Sequence, residues 1–548
     1  MKMKKIKMWK SGSKAKYESR LFDTGYVHRI DLRFAEADWA DLLKNPVNKT
    51  VYSVEMTIDG KKLKKVALST KGVSSLVFPA IKPGNQRYSF KIKFGKNKKK
   101  QKYYGLDGLD LNCCAFDKTL MKDFFSYRLF RLASVPAPLA SYAWVTVNGK
   151  DHGLYLVIEK TNESFLKRNY GKGVLYKPTN VDTARTLEEA RYLTENGIPD
   201  GYDEDEPPKG ADLTYIDDNP LSYPNIFQHR KTAGGRKDEK AVIASMKRLA
   251  EGRKLKKGVD VHEVIRFFAA HNFLLSFDSY TGGSFHNFLI CEKKGIMSVI
   301  PWDYNLIFCT YINGLGRDVL EDPTKLLNQG IDRPLVDVEE KDLPLWRWIM
   351  RKEKYRKEYH EVLSNLLEAY FESGIFECEL NATQAMLAPY EEKDPYAFYT
   401  AREFRKGGES LRKFFLRRAE IVRKQLKGEL ATVSMNQNEG DRVAASDLNV
   451  EDLGIYDYLP KEKKEQNPAP ANAADPAGGQ GGEAPAAKTR GSAREKALAI
   501  PEEATKSRRA TAPKKKQEAG EAPADPEKAT KSRRTTAPRK EQGATAST

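Results

Sequence analysis

Hydrophobic and polar positions first alternate over residues 27–34, VHRIDLRF, which predicts a strand. Two more alternating runs, VYSVEMTIDG and KKVALST, flank Asp59-Gly60, and that dipeptide between such runs predicts a tight hairpin. TKGVSSL (70–76) reads as a loop carrying Lys71, Gly72, Ser74 and Ser75. RYSFKIKF (87–94) predicts a further strand, with Phe90, Ile92 and Phe94 on one face and Lys91 and Lys93 on the other. The spacing of Leu120, Phe124, Tyr127, Phe130 and Leu132 predicts a helix, which Pro136 and Pro138 stop. SYAWVTV and KDHGLYLVIEK then form a second hairpin across Asn148-Gly149. A short helical piece, NESFLKRNYG, and a short strand, GVLYKPT, which presents Lys177, complete this part.

The period then breaks. Residues 180–240 are polar and irregular and read as a surface insertion; their acidic run DGYDEDEPP lacks the spacing of a calcium loop and reads as solvated. Helical spacing resumes near Glu239 and again over 261–277, and the second of these helices delivers Asp278 at its C-terminal end. A hairpin follows, FHNFLIC and IMSVIPWDYN around EKKG. Beyond Gly316 the pattern is amphipathic and helical: 343–373, 381–387 and 409–426, with Leu411, Phe415, Val422 and Leu426 on one stripe. Near residue 434 Pro, Ala, Gly, Lys and Glu take over, and the last aromatic is Tyr458. Such a segment cannot bury enough surface to offset its ordering entropy. The expected layout is a basic arm over 1–20, a domain over 21–430 and a disordered basic tail over 431–548. The domain divides into a β-rich part to about 180, the insertion to 240 and a catalytic and helical part to 430. The tail repeats ATKSRRATAP (504–513) as ATKSRRTTAP (529–538).

Composition narrows the function classes. With 548 residues and 40% hydrophobic positions the chain can build a large core, while a formal charge of +19 favours an acidic partner or ligand. Five cysteines, Cys113, Cys114, Cys291, Cys309 and Cys378, contain no CxxC pair, which argues against a disulfide framework or a cysteine zinc site and for buried thiols. The basic N-terminus has no apolar stretch behind it and no window is long and apolar enough for a membrane span, so a cytoplasmic chain without a signal peptide is expected.

The chemistry concentrates in residues 272–304, NFLLSFDSYTGGSFHNFLICEKKGIMSVIPWDY, where Asp278, Asn287 and Asp303 each lie beside a predicted element end. Phosphoryl transfer needs cations for the phosphates, a carboxylate for the hydroxyl proton and oxygen ligands for Mg²⁺. Asp, Asn and Asp supply those oxygens, and Lys71, Lys91 and Lys177 offer the cations. His286 reads as a hydrogen-bonding neighbour, Trp302 as core or as a ring to stack on adenine, and the basic run 96–102 as a solvated turn. No GxxxxGK[ST] loop is present.

Together TIDG, VALSTKGVSS, YSFKIKF, GLDGLDLN, VNGKDHGLYLVIEKTNESFLKRNYG, VLYK, FDSYTGGSFHNFLI and IPWDYN resemble, in order and over roughly residues 20–428, the CotH family of spore coat protein kinases. The resemblance implies an α+β, atypical protein-kinase-like fold, with an N-terminal, mainly antiparallel sheet region and a helical C-terminal region. It implies transfer of the γ-phosphate of ATP, with Mg²⁺, to Ser or Thr of spore coat proteins that carry Ser-rich basic repeats, in the mother cell and spore coat. On it, Asp278 matches the catalytic aspartate, Asp303 the metal-binding aspartate and Asn287 a second metal ligand. Tyr155, Glu159, Lys177 and Trp302 fall in the nucleotide-site blocks, Tyr155 and Trp302 as a pair of rings for adenine, and Lys71 and Lys91 would hold phosphates. One departure stands out: the family often has a second acid after the Trp-Asp pair, and here that position is Asn305, which bears on metal affinity.

In that light Ser507 and Ser532, each in KSRR, make the tail a substrate in cis or a substrate mimic; a basic tail that binds anionic coat material or nucleic acid stays open beside it. Two other readings of the whole chain remain. One is a catalytically inert morphogenetic scaffold that recruits coat proteins through a basic surface. The other is a nucleic-acid-binding protein, which is not expected because the globular part shows no reading motif. The presence of Asp278, Asn287 and Asp303 together favours the kinase.

Overall fold

The alternating runs close into a barrel. A computed structural model of the chain describes residues 15–80, 84–179, 211–311, 318–336 and 338–456. Most of the basic arm, the acidic run of the insertion, Ser507, Ser532 and the repeats lie outside the described residues. The barrel strands are β1 (His28–Arg33), β2 (Tyr52–Ile58), β3 (Lys61–Thr70), β4 (Phe90–Lys93), β5 (Gly108–Asn112), β6 (Ala140–Val147) and β7 (Lys150–Glu159). Their order is β1-β2-β3-β4-β5-β7-β6, antiparallel throughout except where β6 closes on β1 in parallel, Ile30 opposite Val145. Both expected hairpins are present, and Asp59 (φ +44°) with Gly60 (φ +80°) and Asn148 (φ +50°) with Gly149 (φ +83°) have the paired positive φ that a type I′ turn requires.

Alternation sorts the side chains. Ile30, Leu32, Val54, Met56, Leu68, Phe90, Ile92, Leu109, Leu111, Val145 and Val157 fill the barrel core. Tyr142, Trp144, Leu154, Leu156 and Ile158, on the other face of β6 and β7, enter a second core shared with the helices. These two strands are therefore buried on both sides, and they join the barrel to the rest of the molecule.

That second core surrounds the helix Val261–Leu274. Asp260 caps it by accepting from the Glu263 N–H (3.0 Å), and Val264, Ile265, Phe268, Ala269 and Phe273 are buried around it. A three-stranded sheet, β8 (Val174–Tyr176), β9 (Phe288–Lys293) and β10 (Ile296–Pro301), has the order β10-β9-β8. The helices Pro344–Arg351, Glu353–Leu366, Ile375–Glu391 and Ala401–Lys427 complete the helical part. The last begins eight residues before the expected stripe because Thr400 and Glu403 form a reciprocal capping box. The loop expected at 70–76 gives way at Ser74 to a short helix, Ser74–Ala80, which buries Leu76 and Val77. Packing also continues past the composition change near 434: Ala445, Leu448, Val450 and Leu453 join the helical core and Tyr456 the barrel core.

Candidate phosphoryl-transfer site

The helix Val261–Leu274 ends where Leu275 turns left-handed (φ +51°). The carbonyls of Leu274 and Leu275 accept from the N–H groups of Phe308 (2.9 Å) and Cys309 (3.2 Å), so these two acceptors at the helix end are satisfied. Asp278 follows in the loop, 9% exposed. Its Oδ1 lies 2.6 Å from His286 Nε2, and its Oδ2 accepts from Asn287 Nδ2 (2.8 Å), which also reaches the Asp278 carbonyl (3.0 Å). His286 is thus the hydrogen-bonding neighbour expected. Burial works against its charged form, Asp278 outweighs that, and its pKa is raised. The Asn287 amide nitrogen is committed to Asp278, leaving its carbonyl oxygen as the atom a cation can use.

Asp303 sits just past β10, itself left-handed (φ +60°), as is Asn287 (φ +56°). The Trp302 N–H donates to the Asn287 carbonyl (3.3 Å), stitching the two loops together. Two further contacts hold this segment from the helix Lys122–Leu132: the Asp303 N–H donates to the Tyr127 hydroxyl (3.0 Å) and the Tyr304 N–H to Asp123 Oδ1 (2.7 Å). Burial first, and the charge of Asp303 second, push the Asp123 carboxyl up. From the central helix, His271 hydrogen-bonds the Tyr304 hydroxyl (2.8 Å) and Thr281 Oγ1 (2.7 Å), so one ring ties the Asp303 loop to the Asp278 loop. Burial holds that imidazole neutral, down at about 3.

Cations face these acids. Lys71 and Lys177 Nζ each lie 5.8 Å from the centroid of the Trp302 ring. For Lys71, burial opposes the charge but Asp110, then Asp303 and Asp123, hold it, and its pKa is raised. Lys177 is lowered, by burial first, with Asp303 and Asp278 opposing and Lys71 reinforcing. The strand register places Lys91 opposite Ser69 on one side and Asp110 on the other, on the outer barrel face. Lys91 is brought down to about 8, by loss of hydration and then by Lys160, while Lys160 pairs with Asp110 at 2.9 Å. Lys49 and Lys231 are also lowered to about 8, each by burial and then by neighbouring lysines, Lys177 among them. Crowded ammoniums that depress one another favour an anion of several charges.

The structure brings Asp278, Asn287, Asp303, Trp302, Lys71 and Lys177 into one neighbourhood, with Lys91 in the same field. It places the other two elsewhere. Tyr155 is fully buried in the barrel, stacked on Phe90 and His152, its hydroxyl donating to the Tyr88 carbonyl (3.1 Å). Glu159 is fully buried and engaged by Arg168, the Tyr17 hydroxyl (2.7 Å) and the Leu139 N–H (3.1 Å). Sequence reasoning missed Asp110, Asp123, Lys160, Lys231 and His271; Asp110 and Lys160 lie in the GLDGLDLN and GLYLVIEK blocks, where no spacing marks them as site residues, and the other three lie outside the blocks of the resemblance. Asp123 and His271 hide in helices whose apolar spacing accounts for them as core positions.

Among the described residues no three His, Cys, Asp or Glu side chains gather as a metal centre. The oxygen donors Asp303 and Asn287 nevertheless fit Mg²⁺, which takes one or two protein ligands and fills its octahedron with water and phosphate oxygens. The like-charged pair of Asp123 and Asp303 is the kind of strain that a cation relieves. Among the described residues no helix is long and apolar enough to cross a membrane.

The profile described as "CotH kinase protein" matches residues 70–422. The chain is 23% identical over 406 residues to "Inner spore coat protein H" of Bacillus subtilis (strain 168), covering 73% of this chain and 96% of that protein. It is 43% identical over 63 residues to "Inner spore coat protein H-like protein" of the same strain, covering 12% of this chain and 20% of that one. The profile takes in both loops of the site and extends over more than half of the sequence, and on that match the chain belongs to the CotH family.

Proposed function

We propose that this chain is an atypical Ser/Thr protein kinase that moves the γ-phosphoryl group of ATP to hydroxyls of spore coat proteins. The observation that carries the reading is the Trp302 ring flanked at 5.8 Å by both Lys71 and Lys177, with the Asp303 carboxylate acting on both lysines. An aromatic face suits a nucleobase, paired ammoniums suit phosphates, and an adjacent acid suits their cation. ATP with Mg²⁺, when bound, supplies the phosphoryl group and neutralises its charge. Lys71 and Lys177 would bind the phosphate oxygens, Asp303 and Asn287 Oδ1 would hold the cation, and Asp278 would accept the proton of the acceptor hydroxyl. His286 and Asn287 orient the Asp278 carboxylate for that task.

One observation favours the inert scaffold instead: each Asp278 oxygen already has a hydrogen-bond partner, His286 or Asn287, so a substrate hydroxyl has to share the carboxylate with them. Incubating the full chain with γ-labelled ATP and Mg²⁺ separates the two readings. The kinase reading expects incorporation that Asp278→Ala abolishes while nucleotide affinity is kept, and that Asp303→Ala abolishes together with cation-dependent nucleotide binding. Wild-type incorporation in both variants would refute the assignment, and none in the wild-type chain would favour the scaffold. Mapping the labelled sites tests the tail: phosphate on Ser507 or Ser532 supports a substrate in cis, and an active chain unlabelled over 489–548 rules it out.

A further inference from the structure

Two consecutive backbone N–H groups, those of Asp303 and Tyr304, would be buried without partners at the turn after β10. Both are taken by one helix face. The Tyr127 hydroxyl accepts the first (3.0 Å) and Asp123 Oδ1 the second (2.7 Å), and the two side chains stand four residues apart on the helix Lys122–Leu132. The Asp123 carboxyl also acts on the Tyr127 hydroxyl, favouring its protonated form, so the two acceptors are electrostatically linked. Asp123 Oδ2 accepts from Asn112 Nδ2 (3.2 Å) at the end of β5, and Asn112 Oδ1 accepts from the Cys114 N–H (3.0 Å). A continuous set of hydrogen bonds therefore runs from the barrel through this helix to Asp303. The backbone there needs such support, because φ of +60° is unfavourable for a residue with a Cβ.

We propose that Asp123 and Tyr127 are positioning residues that hold the Asp303 turn so that its carboxylate faces the divalent cation of the nucleotide complex. The inference rests on the phosphoryl-transfer reading above. Neither residue is a ligand in it; each acts through the backbone of Asp303 and Tyr304. Removing the Tyr127 hydroxyl leaves the Asp303 N–H without its acceptor and the left-handed turn with one tether fewer. An amide at 123 still accepts from the Tyr304 N–H, but it has one oxygen where the carboxyl has two and cannot also accept from Asn112 Nδ2. In either case the carboxylate of Asp303 is free to turn from the cation, and supporting residues of this kind are worth about 10- to 100-fold in metal affinity.

The test titrates MgCl₂ into the full chain with ATP present and follows binding by calorimetry, alongside ATP binding in EDTA and melting in cation-free buffer. Tyr127→Phe and Asp123→Asn are compared with the wild-type chain and with Asp303→Ala as the control that removes the ligand itself. The expected result is a cation midpoint raised about 10-fold or more in both positioning variants, with ATP binding in EDTA unchanged. The inference is overturned if Asp303→Ala abolishes the cation dependence while both positioning variants keep the wild-type midpoint, even if their melting temperatures fall, since that is what a purely structural role gives. If the wild-type chain shows no cation-dependent ATP binding, the phosphoryl-transfer reading fails and the positioning role falls with it.

Discussion

Glu263 shows at a single residue how burial writes itself into pH dependence. It is 4% exposed on the central helix, with one oxygen receiving the Tyr170 hydroxyl at 2.7 Å, and burial is the largest cause that lifts its pKa from 4.5 to about 7. A carboxyl whose folded pKa exceeds the unfolded one binds its proton more tightly in the native state. Its stabilising contribution is fully present below about 4.5 and is lost as pH rises through about 7. The displacement corresponds to at most about 3 kcal/mol. Glu263→Gln cannot ionise, so its stability should fall less between pH 5 and pH 8 than that of the wild-type chain, as read from urea midpoints at the two values. Equal slopes would place the proton elsewhere. At this scale the sequence was partly legible. Asp278, Asn287, Trp302 and Asp303 could be read because they share one short stretch and their side chains are the donors that phosphoryl transfer uses. Asp123 and His271 could not, since each reaches the site from a separate helix and nothing local distinguishes it from a core residue.

Elements were legible where a turn dipeptide fixed them. Asp59-Gly60 and Asn148-Gly149 announce their hairpins because alternation on both sides agrees with the turn chemistry. Barrel closure was not announced, since it depends on β1 meeting β6 in parallel across more than 100 residues and on register shifts at Val54/Met56 and Val145/Thr146. The strand β5 is buried at all five positions, so it offers no alternation to read. Tyr155 and Glu159 share a strand end whose apolar run with a polar finish suits a nucleotide wall equally well as a barrel stave, and periodicity cannot choose between them. The β7 strand also carries a packing demand. Gly153 (φ +106°) lies against Asp394, where an added Cβ would stand 2.2 Å from Oδ1. Asp394 in turn pairs with buried Arg87 and accepts from the Leu154 N–H (2.7 Å). Gly149 has a similar positive φ with open space around it. Gly149→Ala should therefore cost about 1 kcal/mol from backbone strain alone. Gly153→Ala should cost clearly more than about 2 kcal/mol, because it adds part of the 3–5 kcal/mol of a broken buried ion pair. Denaturant unfolding of the two variants side by side isolates the collision from the strain, and equal losses would mean that Asp394 shifts freely.

For the whole molecule, composition and packing disagree about where the folded part ends. The composition turns polar near residue 434, yet over residues 434–456 several apolar residues are placed inward, although Met435 is exposed. Leu448, Val450 and Leu453 are at most 4% exposed, and Tyr456 is 5% exposed with its N–H donating to the Thr310 carbonyl (2.7 Å). The same segment completes the surroundings of a buried cation: Lys122 Nζ donates to the carbonyls of Phe116 (2.9 Å) and Gly454 (2.8 Å) and to Thr310 Oγ1 (3.1 Å). Lys122 begins the helix that carries Asp123 and Tyr127, so the segment supports the acid loop from behind. The Tyr456 hydroxyl also meets Ser74 Oγ at 2.6 Å, three residues beyond Lys71. A chain ending at 430 thus loses several buried side chains, each worth roughly 1.5–3 kcal/mol, and leaves Lys122 short of an acceptor. It should melt more than about 5 °C below a chain ending at 456, or fail to stay soluble, while the longer chain keeps its cooperative transition. Superimposable melts for the two would mean that residues 431–456 cover the core without stabilising it, and that the site needs no support from them.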